Sequence, residues 1–428
     1  MAEAEPGEWS NVLSGWPAAV ILVVLLVLGI VRAARRRARR RSPRPTGTAG
    51  PSTAGPAPAR TPSVGPPSEA APPRHGTVLA IDVGTYNTVA VLRRPGRAAT
   101  VLLFDGTPLL ASNVYADEAG ALCTGRDAAH LARLDPSRCE PNPKQRIDEV
   151  TVLLGDREFE VVDLIAAVLR RVVEEARRSA GTVDDVVLTH PAAWGPRRQA
   201  TLRTAAHRAG IPAPRLLAEP VAAARQYLEQ DGSRWYDGQP LLVFDFGAGT
   251  LDVAAVRRRG NGFEVISYDG MDGLGGLDID AAIVDRIGAE VARGDPDAWR
   301  RIATPDTVDD RRARRLLWED ARAAKEMLSR TSVAPLPVTG YQPGAHLTRD
   351  ELDRLAAPLV ERAVQVLARV LDTTGIRADR AAGVFLVGGS SRLPLVAHTI
   401  LTRLHVAATV HEQPETVVAT GAAAVTVG

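Results

Sequence analysis

Apolar runs that close on a lone acid mark this chain more clearly than any other pattern. Residues 78–83, VLAIDV, and 241–246, LLVFDF, are apolar at nearly every position, and each carries one aspartate near its end, Asp82 and Asp245. A glycine turn follows each run, through Gly84 and Thr85 in the first and through Gly247, Ala248, Gly249 and Thr250 in the second. A further apolar run then leaves each turn, so both stretches read as strand, tight turn, strand. VDDVVLTHP (183–191) and AGVFLVGG (382–389) read as additional buried strands. Helical periodicity predicts helices over 161–180, 196–210, about 219–230, about 277–293, 308–330 and 348–374, with a small helical tail from 414. Residues 97–140 read as an irregular, strand-rich region, and the segment between the later helices as strand-poor and arginine-rich. From residue 77 onward strands and helices alternate, which is the pattern of an α/β fold.

Ahead of residue 77 the pattern changes. Residues 12–31 carry no charge and, at about 1.5 Å per residue, span roughly 30 Å, the thickness of a bilayer core. Seven arginines follow in residues 32–41, after the apolar stretch rather than before it, which argues for a transmembrane helix over a cleaved leader. The expectation is a single-pass cell-membrane protein. It has residues 1–11 outside, the arginine block against anionic lipid, and a Pro- and Ala-rich disordered linker to residue 76 that tethers a cytoplasmic body.

Charge and cysteine content narrow the function classes. The net charge of +2 conceals ten arginines against four glutamates in residues 1–76, so the body is mildly acidic and offers no electrostatic case for nucleic acid. Cys123 and Cys139 are too few for a disulfide framework and lack metal-ligand spacing. Fifty arginines accompany two lysines, Lys144 and Lys325. Where composition favours arginine so strongly, the remaining lysines are candidates for chemistry that a guanidinium cannot do.

The two glycine turns are the first candidate site. Glycine lets the backbone approach a bulky anion and turn its amides inward, and an aspartate at a strand end can orient a hydrated Mg²⁺ beside phosphates. One such turn is also a common hairpin. Two of them, 163 residues apart, suggest two similar half-domains closing on one nucleotide.

The order of the pieces carries more than any one of them. IDVGTYNT (81–88), HPAAWGPRRQAT (190–201), GIPAPRLLAEPVAAA (210–224), FDFGAGTLD (244–252), DGLGGLDID (272–280), KEMLSR (325–330), FLVGGSSRLP (385–394) and PETVVATGAAA (414–424) resemble, in order and spacing, the DnaK-type heat-shock protein 70 family of the actin-like ATPase superfamily. The resemblance covers essentially all of 77–428. It implies an actin-like ATPase fold, with two similar lobes, 77–240 and 241–428, around a central nucleotide cleft. The implied ligands are ATP or ADP with Mg²⁺, and the implied reaction is slow hydrolysis of ATP. The resemblance makes Asp82 and Asp245 the metal ligands, largely through water, and gives Asp245 a catalytic part as well. Lys144, in NPKQRID, is implied to reach the γ-phosphate and the attacking water, with Glu219 and Asp252 nearby. From the residues alone, Lys144 also reads as a surface lysine on a loop, and Glu219 as an ordinary acid at a helix N-terminus. Gly84, Thr85 and Tyr86, with Gly247, Ala248, Gly249 and Thr250, are the implied phosphate loops. Lys325, Ser329, Gly388, Gly389, Ser390 and Arg392 are implied for the ribose and adenine, with Arg392 stacked on the base.

Four positions depart from the family pattern. Tyr86 stands for a second threonine, and Ala248 for the middle glycine of the second loop, a change that holds if φ stays negative. Arg322 stands where a glutamate usually contacts the ribose, and Glu415 where an aspartate lies near the closing helix. The family's peptide-binding domain and lid are not found before Gly428. The expectation is therefore a chaperone-like or nucleotide-switch ATPase without its own peptide-binding domain, acting with an unidentified protein partner or client. An actin-like filament or scaffold protein, a small-molecule kinase of the same superfamily and a non-hydrolysing ATP sensor are the alternatives.

Overall fold

The computed structural model describes residues 76–231 and 235–424. They form a mixed α/β structure around two large sheets. In chain order the first part comprises β1 (Val78–Val83), β2 (Asn87–Arg93), β3 (Thr100–Val101), β4 (Leu110–Ala111), β5 (Val114–Ala116), β6 (Leu122–Thr124), α1 (Gly125–Leu131), β7 (Cys139–Glu140), β8 (Thr151–Leu154), β9 (Arg157–Glu160), α2 (Val161–Ala180), β10 (Asp185–His190), α3 (Pro196–Arg208), β11 (Arg215–Ala218) and α4 (Glu219–Asp231). The second part comprises β12 (Pro240–Phe246), β13 (Thr250–Arg259), β14 (Gly262–Asp272), α5 (Gly276–Gly294), α6 (Pro296–Ala303), α7 (Val308–Leu328), β15 (Val333–Val338), β16 (Tyr341–Thr348), α8 (Arg349–Thr374), β17 (Val384–Val387), α9 (Pro394–Leu404), β18 (Ala408–Val410) and α10 (Val417–Ala424).

The two sheets share one plan. The first runs β11-β10-β1-β2-β3 and the second β18-β17-β12-β13-β14. In each, the central strand pairs in parallel with one neighbour and forms an antiparallel hairpin with the other. The outer pairs match as well: β10–β11 and β17–β18 are parallel, and β2–β3 and β13–β14 are antiparallel.

Burial on both faces explains why the central strands read as unbroken apolar runs. Leu79, Ile81 and Val83 of β1 pack outward under α2, while Val78 and Ala80 face the other sheet. In β12, Phe244 and Phe246 join the outer core beneath α5 and α8, while Leu241 and Val243 face inward. The inward faces meet in an apolar core shared with Ala222, Ala223 and Ala224 of α4 and with α10. Gly388 closes the end of β17 against β12. Its φ is +81°, and a Cβ there would lie 2.5 Å from both Asp245 Oδ1 and the Phe246 carbonyl, so only glycine allows the approach.

The structure differs from the sequence reading in two places. The arginine-rich segment contains α6 and the β15–β16 hairpin. The prolines of VAPLPV hid that hairpin, because proline argues against a central strand. Here Pro335 and Pro337 point outward from a two-stranded ribbon while Ala334, Leu336 and Val338 are buried. The membrane placement is the second correction. Among the described residues no helix is long and apolar enough to cross a membrane. The long helices are amphipathic: α2 carries Asp163, Arg170, Arg171, Glu174, Glu175, Arg177 and Arg178 along its length. The expected span at 12–31, the arginine block at 32–41 with its lipid contact, and the linker up to 75 lie outside the described residues, and the cell-membrane localisation is not retained.

Candidate active site between the two sheets

Strand alternation builds this site. Ala80, Val187, Val243 and Ala254 lie in the core between the sheets. Two residues along the same strand faces stand Asp82, Thr189, Asp245 and Asp252. The apolar inter-sheet face thus turns polar at one end, where a cavity of about 360 Å³ opens, a size typical of small-molecule sites. Asp245 and Asp252 are direct cross-strand partners. Thr189 Oγ1 donates to Asp82 Oδ1 at 2.7 Å. Lys144, on the 3₁₀ turn Pro143–Arg146, donates from Nζ to Glu219 Oε1 at 3.1 Å, and both side chains are nearly buried, 13% and 8% exposed. The ammonium also lies 5.3 Å from the centre of the Trp194 ring.

Four carboxyls around one ammonium make an unbalanced set. Burial, then Asp252 and Asp82, push Asp245 up to about 8 against the pull of Lys144. Burial also raises Asp82 and Asp252, with Lys144 opposing, and lifts Glu219 well above the usual carboxyl range. For Lys144 burial works downward, but Glu219, Asp82 and Asp252 together outweigh it, and its pKa lies above the ordinary value. Lys144 is therefore charged, while burial and mutual repulsion oppose ionisation of the carboxyls, which an entering cation would favour.

The glycine turns face this cluster. In the second turn the Gly247 carbonyl accepts from the Gly276 amide at 3.0 Å and from Ser390 Oγ at 2.7 Å, and the Ala248 carbonyl accepts from the Leu277 amide at 2.8 Å. Carbonyl and N–H of one peptide unit point opposite ways, so these bonds turn the amides of Ala248 and Gly249 away from α5. In the first turn Ser112 holds the carbonyls of Gly84 and Tyr86, through its hydroxyl at 3.0 Å and its amide at 2.8 Å. Ala248 has no positive φ, so the turn accepts its side chain.

At the far end the cavity is lined by α7 and the turn after β17. Lys325 Nζ donates to the Gly276 carbonyl at 2.8 Å and pairs with Asp280 Oδ1 at 2.7 Å. Burial raises Asp280 to about 6 despite Lys325. Arg322 donates to Asp280 Oδ2 from Nε and Nη2, both at 3.3 Å, and its Cζ stands 3.3 Å from the centre of the Tyr86 ring. Ser329 Oγ donates to the Glu326 carbonyl at 2.6 Å. Arg392, implied to stack on a base, lines the cavity and donates from Nη2 to Glu415 Oε1 at 2.8 Å.

Asp82, Gly84, Thr85, Tyr86, Lys144, Glu219, Asp245, Gly247, Ala248, Thr250, Asp252, Lys325, Ser329, Gly388, Gly389, Ser390 and Arg392 all line this one cavity. Gly249 does not, and packs against Gln145 and Thr85 of the first turn. Sequence reasoning gave no role to Thr189, Trp194 or Asp280. Thr189 left a signal as a lone hydroxyl inside the apolar strand VVLTHP, and Asp280 as the acid ending DGLGGLDID. Among the described residues no three His, Cys, Asp or Glu side chains converge closely enough to hold a bare metal ion. Separate carboxyls around a common space, whose ionisation an entering cation would favour, fit a divalent cation that keeps part of its water shell.

The family model for "Hsp70 protein" matches residues 136–427. The chain is 31% identical over 378 residues to the chaperone protein HscA of Escherichia coli O17:K52:H18, over 83% of this chain and 58% of that protein. It is 29% identical over 381 residues to the chaperone protein HscA homolog of Aeromonas hydrophila, over 84% and 59%. It is 30% identical over 378 residues to the chaperone protein HscA of Yersinia enterocolitica serotype O:8, over 83% and 58%. The chain thus spans about three fifths of the length of these curated relatives. These relatives bear chaperone names, and none of them lends the membrane placement support. On the family match over most of its length, the chain belongs to the Hsp70 family.

Proposed function

We propose that the cavity binds Mg-ATP, that the chain hydrolyses it to ADP and phosphate, and that its fold is the actin-like ATPase fold of this family. The observation that carries the reading is the meeting of Lys144 and four carboxyls with two glycine turns from sheets of matching topology. The amides of the two turns and the hydroxyls of Thr85 and Thr250 receive the β- and γ-phosphates. Asp82, steadied by Thr189, and Asp245 hold Mg²⁺ through its water shell, and the ion when bound supplies charge neutralisation for the phosphates. Lys144, fixed by Glu219, offsets the charge that develops on the transferred phosphoryl group. Glu219 and Asp252 accept hydrogen bonds from the attacking water, and one of the two carboxylates takes up its proton. Lys325, Ser329 and the turn from Gly388 to Arg392 hold the nucleoside.

Nucleotide contacts on both sheets favour the closed arrangement, and loss of the γ-phosphate relaxes it. The relatives' names support a chaperone setting, in which this switch is passed to an unidentified protein partner or client. Phosphate release by the full chain tests the reading. Mg-ATP is turned over slowly by the wild type and not by Asp245→Ala; equal release by the two sinks the site assignment. Tight ATP binding with no release by either moves the function to a nucleotide sensor.

A further inference from the structure

Tyr86 and Arg322 each depart from the family pattern, and in the structure they are each other's partner. Tyr86 follows the first glycine turn, between β1 and β2, while Arg322 comes from α7 on the side of the second sheet. The guanidinium carbon lies over the ring, 3.3 Å from its centre, at van der Waals contact and well inside the roughly 6 Å reach of a cation–π interaction. Both residues line the cavity, and the Arg322 side chain is only 15% exposed. Asp280, itself paired with Lys325, holds the guanidinium from behind. Two of the polar links between the two sides lie at the surface: Arg198 Nη2 donates to Asp272 at 3.2 Å, and Arg312 Nη2 to the Leu134 carbonyl at 2.6 Å. Exposed polar links of that kind contribute little and weaken with salt. The Tyr86–Arg322 stack is shielded, and any motion that draws the first turn away from α7 has to break it.

We propose that this stack is a clasp across the cleft that sets how long the site retains its nucleotide. Tyr86 and Arg322 are positioning residues for retention and do not act on the phosphoryl group. This inference rests on the nucleotide reading above. A cation–π contact, from exposed to desolvated, corresponds to a factor of roughly two to thirty in a rate or equilibrium.

The test is release of α-³²P-labelled ADP from the full chain with Mg²⁺, chased by excess unlabelled ADP. Tyr86→Thr and Arg322→Gln each speed release roughly tenfold, with association changed much less. The double variant is no faster than either single one, because both remove the same contact. Tyr86→Phe, which keeps the ring, releases near the wild-type rate, and Arg322→Lys, which keeps the charge but not the plane, falls between. Release at the wild-type rate in both single variants, multiplicative effects in the double, or a Tyr86→Phe rate matching Tyr86→Thr overturns the clasp while leaving nucleotide binding intact. A wild-type chain that retains no label overturns the nucleotide reading itself, and the clasp with it.

Discussion

Replacing Lys144 with alanine removes the ammonium that Glu219, Asp82 and Asp252 all face. At the 3.1 Å separation from Glu219, the Coulomb attraction is about 5 kcal/mol with an effective dielectric near 20. Burial of both groups offsets part of that. Glu219, already raised well above the ordinary carboxyl range, takes up a proton once its partner is gone. The folded state therefore loses only about 2–3 kcal/mol. Catalysis loses more, because a fixed charge beside the reacting phosphoryl group is used mainly in the transition state. Loss of one such group lowers turnover by roughly 10²–10³, or about 3–4 kcal/mol. Nucleotide affinity changes by less than about tenfold, since the turn amides and the nucleoside side remain. Lys144→Arg does not restore turnover: a planar fork does not place its charge as a compact ammonium does against Trp194. Single-turnover hydrolysis of γ-labelled ATP, with ADP affinity measured separately by calorimetry, reads both quantities. Turnover within about threefold of wild type, or equal losses in turnover and affinity, refutes the role assigned to Lys144.

Three further outcomes follow from particular contacts. Thr189→Val keeps shape but removes the donor on Asp82, and raises the Mg²⁺ concentration needed for half-maximal phosphate release roughly tenfold; an unchanged requirement contradicts the support given to Asp82. Gly421→Ala drives a Cβ into the Ala222 carbonyl where α10 packs on α4, lowering stability by about 1–3 kcal/mol, read as a fall in the thermal midpoint. Glu351 caps α8 by accepting from the Thr348 amide at 2.9 Å. That bond first, then the Thr348 hydroxyl and Arg286, hold its carboxyl down to about 2 against the effect of burial. A depressed folded-state pKa stabilises above the ordinary carboxyl value and is lost as pH falls toward about 2. Glu351→Gln thus costs about 1–2 kcal/mol at pH 7, and denaturation curves of the two proteins converge near pH 2.

Backbone-level features were legible because they depend on neighbours in sequence. Both strand–turn–strand readings coincide with β1–β2 and β12–β13, and the periodic stretch 161–180 is α2 residue for residue. The inward direction of Asp82 and Asp245 follows from alternation once the strands are placed. Side-chain partners were not legible in the same way. Tyr86 and Arg322 appeared as two separate departures, and only the fold brings them together. The bond from Arg392 to Glu415, another departure, could not be read from spacing. The β15–β16 hairpin was hidden because outward-facing prolines carry no penalty on a two-stranded ribbon. The reading of 12–31 as a membrane span rested on hydropathy and on the arginine block after it, and it falls on residues outside those described.

Whether Asp82 and Asp245 of two matching hairpins form one Mg-nucleotide site is decided by calorimetric titration of ADP into the full chain. With excess Mg²⁺, ADP binds one site per chain, with affinity falling at least tenfold when Mg²⁺ is chelated and likewise in the Asp82→Asn, Asp245→Asn double variant. No binding by the wild type, or equal binding by the folded double variant in the presence of Mg²⁺, contradicts it.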